Sequence, residues 1–227
     1  MWKHDPTAPV EAHLLYNERD TIPNGSTCTT VGESAPMGQK SAPGPHAVGI
    51  SDMAQVGCDT DFEFFQENGS STPHTVGAVE TAINGVAAIY ETGFGLTYEI
   101  TAVIVRSTAA DPYTTTNSDV FLNQFRSHWL SAQGAITRDL AHLFTGKNMD
   151  GSTIGIAYIN SVCSVSLHYG ISESQSSATS QNGLTAHEMG HNWNASHCDP
   201  FGGCAIMCSG LGLSLIHISE PTRPSVI

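Results

Sequence analysis

The eleven residues His187-Glu188-Met189-Gly190-His191-Asn192-Trp193-Asn194-Ala195-Ser196-His197 restrict what this chain can fold into more than any other segment. His187 and His191 are four apart, so on a helix they share one face about one turn apart. Two imidazoles so placed can hold one metal ion, and Glu188 then points to the side where a metal-bound water would sit. His197 can add a third nitrogen only if the helix stops after His191 and the chain turns sharply. Asn194 lies where that turn must fall, and asparagine is second only to glycine in tolerating the left-handed region. Three protein ligands with a fourth position open make a catalytic zinc site, whereas a structural zinc is closed by four, commonly with cysteine. Cys198 adjoins His197, but consecutive residues rarely converge on one metal, so a disulfide is its expected fate.

The stretch resembles the long zinc signature of the metzincin metallopeptidases, H-E-x-x-H-x-x-G-x-x-H followed by a Met-turn, with Asn194 in place of the usual glycine. Cys204-Ala205-Ile206-Met207-Cys208 is similar to the Met-turn and makes Met207 the methionine beneath the metal. Ser209 stands where astacin- and serralysin-like enzymes carry a tyrosine, which argues against a tyrosine fifth ligand. Within the metzincins, the chain looks most like the reprolysin-like (adamalysin, M12B-type) group. Residues 186–192 carry that resemblance, as does Asp150-Gly151-Ser152-Thr153-Ile154-Gly155-Ile156-Ala157-Tyr158 followed by Cys163-Ser164. One departure is Cys198, which separates His197 from Asp199 where the group places aspartate directly after the histidine.

The resemblance implies an α+β, zincin-like (metzincin) catalytic domain with a twisted mixed sheet of about five strands, one of them an antiparallel edge strand. A long zinc-binding helix and the Met-turn complete it. It implies a zinc-dependent endopeptidase in which His187, His191 and His197 hold one Zn2+ and Glu188 is the general base toward a zinc-bound water. Met207 would form an apolar floor without bonding the metal. Gly155, Ile156, Ala157 and Tyr158 would pair with an extended protein or peptide substrate by strand addition. Small residues at 155 and 157 would let another backbone come close, although plain sheet packing accounts for them equally well. A cysteine in the position of Cys163 would tie the edge-strand region to the C-terminal part. Whether calcium also binds is not set by these residues.

With 227 residues the chain has room for one domain plus appendages, and no run is long and apolar enough to span a membrane. A net charge of -13 argues against nucleic acid and anionic membrane surfaces as partners. The protein is expected to be a monomer. Six cysteines (Cys28, Cys58, Cys163, Cys198, Cys204 and Cys208) suit a secreted protein with up to three disulfides, one of them within the crowded segment 198–208. Residues 1–6 lack the apolar stretch of a signal peptide, so the chain is expected to begin inside a precursor or to have lost its export signal.

Three segments follow from texture. Residues 1–52 are rich in Pro, Gly, Ser and Thr without helix or strand periodicity, and read as a propeptide remnant or linker. Cys28 lies there and is either a latency cysteine, whose thiolate fills the open zinc position, or a disulfide or loose thiol. Residues 53–212 read as the catalytic domain, incomplete at its C-terminal part. Residues 213–227 include Leu-Ser-Leu-Ile-His-Ile-Ser-Glu-Pro-Thr-Arg, which resembles the in-frame translation of a sequencing adapter, so they are expected to be non-native.

Inside the domain, alternation predicts a strand over 59–65, and Val76, Val79, Ile83, Val86, Ala87 and Tyr90 predict a long helix. Strands are expected over 99–105, 140–144, 154–159 and 168–171, with helices over 118–130 and 184–193. The Asp150-Gly151 pair suggests an antiparallel hairpin. His74, His128, His142 and His168 read as surface or loop residues. Two readings compete with an active peptidase: a truncated, non-catalytic zinc-binding fold, and a latent zymogen fragment held by residues 1–52.

Overall fold

A computed structural model describes residues 2–4, 15–17, 52–197 and 206–207. Two short strands, β1 (Trp2–His4) and β2 (Leu15–Asn17), pair antiparallel. The main body follows in the order β3 (Asp52–Thr60), α1 (Phe62–Glu67), α2 (Thr72–Phe94), β4 (Leu96–Val105), α3 (Ser118–Ala132), β5 (Leu140–Thr145), β6 (Gly155–Ala157), β7 (Tyr169–Glu173) and α4 (Ala178–Asn192). The five strands lie in the order β4-β3-β5-β7-β6. All neighbours are parallel except β6, which runs antiparallel to β7 at one edge. This is the expected mixed sheet with its antiparallel edge strand.

Local chemistry explains the helix ends. Ser71 caps α2, and Gly95 closes it in the left-handed region at φ 70°. The α2 residues expected to face the sheet (Val76, Val79, Ile83, Val86, Ala87 and Tyr90) are all buried. All of them but Val76 join Leu140 and Phe144 of β5 and Ala186 and Met189 of α4 in one core. Strand alternation sends Ala141 and Leu143 to the opposite face, where they pack with Phe121, Leu122, Phe125 and Trp129 of α3.

A buried carboxylate ties that second core together. Asp59, fully buried in β3, accepts from Arg106 through Nε at 3.0 Å and Nη2 at 2.7 Å. It also accepts from the Tyr113 hydroxyl and the Trp129 indole, each at 2.7 Å. Gly57 makes room for this, because a Cβ there would lie 2.7 Å from the Trp129 ring. The bidentate arginine and two neutral donors offset the cost of burying the charge.

Several sequence expectations need correction. The alternating stretch 59–65 is not one strand. β3 ends at Thr60, and Asp61 caps α1 by accepting from the Phe64 amide at 2.8 Å. Asp61 also accepts from Gly146 at 3.0 Å and from the Thr145 hydroxyl, so tertiary contacts reinforce the cap. α3 starts at Ser118 as expected, with Asn117 as its cap. The Asp150-Gly151 turn does not join a hairpin: β5 pairs with β3 and β7, and β6 pairs only with β7. His142 is buried in β5 rather than at the surface or in a loop, whereas His168 lies in a loop as expected, though buried. Cys58 is a free buried thiol, so the six cysteines cannot form three bridges.

Replacing Asp59 by alanine should strand the Arg106 guanidinium and two buried donors. We expect a loss of about 3–5 kcal/mol in urea unfolding. A loss below about 1 kcal/mol would place the interaction among ordinary surface ion pairs.

Candidate metal centre

α4 carries the histidine motif and is buried along nearly its whole length from Ser180 to Asn192. Its start at Ala178 precedes the expected boundary of residue 184, because Ser177 caps it by accepting from the Ser180 amide at 3.1 Å. The Tyr90 hydroxyl donates to the Ala186 carbonyl at 2.9 Å and ties α4 to α2. Gly190 is required where it stands: a Cβ there would lie 2.6 Å from Met207 Sδ and 3.1 Å from the Tyr90 hydroxyl.

The helix ends as the motif requires. Asn194 has φ 72°. Its amide donates to His191 O, and the Ala195 amide donates to Gly190 O, both at 2.9 Å. That pair of bonds is a Schellman closure with Asn194 at the left-handed position. The loop after β6 supplies further donors, with Asn160 N–H on His191 O at 3.0 Å and Ser161 N–H on Asn192 O at 2.8 Å. The reversal carries His197 back over the helix.

His187, His191 and His197 form a group that could hold a metal ion. His187 Nε2 lies 3.0 Å from His191 Nε2 and 3.1 Å from His197 Nε2. Nitrogens bound to a tetrahedral zinc at about 2.0–2.1 Å lie about 3.3 Å apart, close to both of these spacings. The other ring nitrogens fix the tautomers. His187 Nδ1 donates to the Ile206 carbonyl and His191 Nδ1 to the Ala195 carbonyl, each at 2.8 Å. Both Nε2 atoms are thereby left as lone-pair donors, the arrangement usual for histidines that bind a metal. Burial holds His191 below the ordinary histidine pKa, which also favours the neutral, ligating form.

Glu188 lies beside this cluster with 4% exposure. Its Oε2 has no hydrogen-bond partner among the described residues, and burial pushes its carboxyl up to about 8. The side chain rests on the backbone of β6. A Cβ on Gly155 would touch Oε1 and lie 2.7 Å from Cδ and 2.9 Å from Cγ. The glycine expected to admit another backbone therefore admits this carboxylate.

Of the other expected site residues, Gly155, Ile156 and Ala157 form β6, while Tyr158 lies just past its end. Tyr158 still donates its amide to Tyr169 O at 3.2 Å. Met207 is half-buried in a turn against Gly190. Cys163 is disulfide-bonded to a partner outside the described residues, where Cys28, Cys198, Cys204 and Cys208 also lie. Sequence reasoning passed over Asn192. Its Nδ2 lies 2.9 Å from Tyr158 O, 3.0 Å from Ser161 Oγ and 3.3 Å from Tyr169 O, joining α4 to β6 and β7. Its place directly after the second histidine was the available signal.

Comparison with known proteins agrees with this geometry. Residues 76–198 match the family model described as metallo-peptidase family M12B, reprolysin-like. The chain belongs to that family. It is 38% identical over 86 residues to snake venom metalloproteinase TM-1 of Protobothrops mucrosquamatus, covering 37% of this chain and 41% of that protein. It is 41% identical over 63 residues to snake venom metalloproteinase Ac1 of Deinagkistrodon acutus, covering 27% and 31% respectively. Over 67 residues it is 39% identical to the zinc metalloproteinase-disintegrin-like atragin of Naja atra, covering 29% and 11%. The chain thus spans less than half the length of these curated relatives. A solved structure titled "Structure of a chaperone-substrate complex" shares the fold, with TM-score 0.52 and 16% identity over 65% of this chain and 24% of that one.

The left-handed residue gives a direct test. Asn194→Ala should destabilise the protein by about 1 kcal/mol and weaken metal binding, while Asn194→Gly should match or exceed the parent. Thermal unfolding and metal titration check both. Equal behaviour of the two variants would remove the turn from the account of the site.

Proposed function

We propose that this chain is a zinc-dependent endopeptidase acting on proteins or peptides, with residues 53–212 as its catalytic domain. The observation that carries the reading is the convergence of three imidazole Nε2 atoms beside a buried glutamate. His187, His191 and His197 would hold the zinc. Bound there, zinc supplies Lewis acidity, polarising a carbonyl and acidifying water.

Glu188 takes the proton from the attacking water and passes it to the leaving amine. Burial makes its carboxylate a stronger base than an exposed one. Gly155 holds that carboxylate in place through steric fit. β6 is the terminal strand of the sheet and offers an edge to which an extended substrate can add. The Ile206 carbonyl orients His187, and Met207 supports the helix from below, which is the role of a Met-turn. Venom metalloproteinases among the relatives, together with the Cys163 disulfide, support an extracellular setting. None of the described helices is long and apolar enough to cross a membrane. In this reading the protein acts as a monomer, residues 1–52 are a propeptide remnant or linker, Cys28 is a candidate latency thiol, and residues 213–227 are non-native.

Digestion of an unfolded protein mixture, read by mass spectrometry, tests the proposal. Cleavage should vanish with a chelator and return with zinc. Glu188→Gln should keep its zinc by elemental analysis and cut at least about 100-fold more slowly. Retained metal with no cleavage by the parent chain would leave a zinc-binding fold without catalysis. Gly155→Ala separates positioning from binding: we expect unchanged zinc content and kcat/KM lower by about 100-fold, because the new methyl displaces the Glu188 carboxylate. Parental activity in that variant would detach Gly155 from the site.

A further inference from the structure

Two buried polar atoms without partners among the described residues border the same glycine, Gly170 of β7. His142, in the central strand β5, is fully buried. Its Nε2 lies 2.8 Å from Ser172 Oγ, while its Nδ1 has no hydrogen-bond partner among the described residues. Asn192, at the end of α4, is 1% exposed. Its Nδ2 faces Tyr158 O, Ser161 Oγ and Tyr169 O, an arrangement that fixes the amide orientation and leaves Oδ1 without a partner. Both atoms border Gly170 of β7. A Cβ on Gly170 would lie 3.4 Å from His142 Nδ1, 3.6 Å from Asn192 Oδ1 and 3.2 Å from the Ala157 methyl.

Leaving one such atom unpaired costs about 1–3 kcal/mol, and native interiors rarely leave two adjacent ones so. Burial holds His142 far below the ordinary histidine pKa, at about 3, so the ring is neutral and its two nitrogens differ in role. Gly170 sets no side chain between the two atoms, and a buried water is held where it has two or more polar partners.

We propose that one water molecule is bound over Gly170, bridging His142 Nδ1 and Asn192 Oδ1 and fastening the end of α4 to the centre of the sheet. The water donates to Asn192 Oδ1. Toward His142 it donates or accepts according to which ring nitrogen carries the proton, a choice set by Ser172. Gly170 is the residue that leaves it room. The bridge is independent of the metal, so it stands or falls separately from the catalytic reading.

A crystal structure of the full chain, refined against data good enough to place ordered water, tests this. We expect one water within about 2.7–3.2 Å of both atoms. A direct contact between ring and amide, or no density between them, would overturn the proposal. Gly170→Ala supplies an independent sign. Alanine ordinarily stabilises a strand relative to glycine. Expulsion of a bridging water should instead lower the melting temperature by about 2–8 °C. An unchanged or raised melting temperature would also overturn it. Should the variant not fold, the parental density alone decides.

Discussion

His187 Nε2 lies about 3 Å from the Nε2 atoms of both His191 and His197, a demanding arrangement because their lone pairs meet. Hydrogen bonds on the far side of the rings hold that arrangement, in which the lone pairs repel one another unless a cation lies between them. The Ile206 and Ala195 carbonyls take the Nδ1 hydrogens of His187 and His191, so the Nε2 atoms turn inward together. Much of the surrounding architecture serves that orientation. Ala195 is in place because Asn194 reverses the chain, and Ile206 is in place because Gly190 lets Met207 lie against the helix.

The two cores beneath the site do different work. The first packs α2 and α4 onto one face of the sheet through aliphatic contact and sets the height of the histidine helix. The second is organised around a charge, with Asp59 of β3 accepting from Arg106 and Tyr113, which follow β4, and from Trp129 of α3. Membership of the reprolysin-like family accounts for the motif and the helix that bears it. The physical arguments account for why these side chains can share one place.

What could be read from the sequence was local. Histidine spacing, the α2 face and the left-handed asparagine are periodic or single-residue signals, and the sheet with its antiparallel edge followed from the family resemblance. What could not be read depended on distant partners. Alternation over 59–65 hid the α1 cap, whose strength comes from Asp61 reaching Thr145 and Gly146. A polar serine run hid the first turns of α4, which tertiary burial stabilises where helix propensity alone is weak. An Asp-Gly turn specifies a bend but not which strand lies alongside, so the hairpin expectation failed. His142 sits in an apolar run, and its burial was legible only as the company it keeps. The contact of Glu188 with Gly155 joins residues far apart in the chain and leaves no mark in either neighbourhood.

The compactness of the histidine motif has a consequence for assembly. His187, His191 and His197 fall within eleven residues, so bringing them together closes a very short loop. Such a segment can chelate a metal before any sheet exists, whereas Glu188 meets Gly155 and His187 meets Ile206 only once the tertiary structure is complete. Capture and competence are therefore separate events. Metal held by the unfolded chain would contribute nothing to the folding equilibrium, so any heat resistance gained from zinc would fall short of its affinity for the native protein.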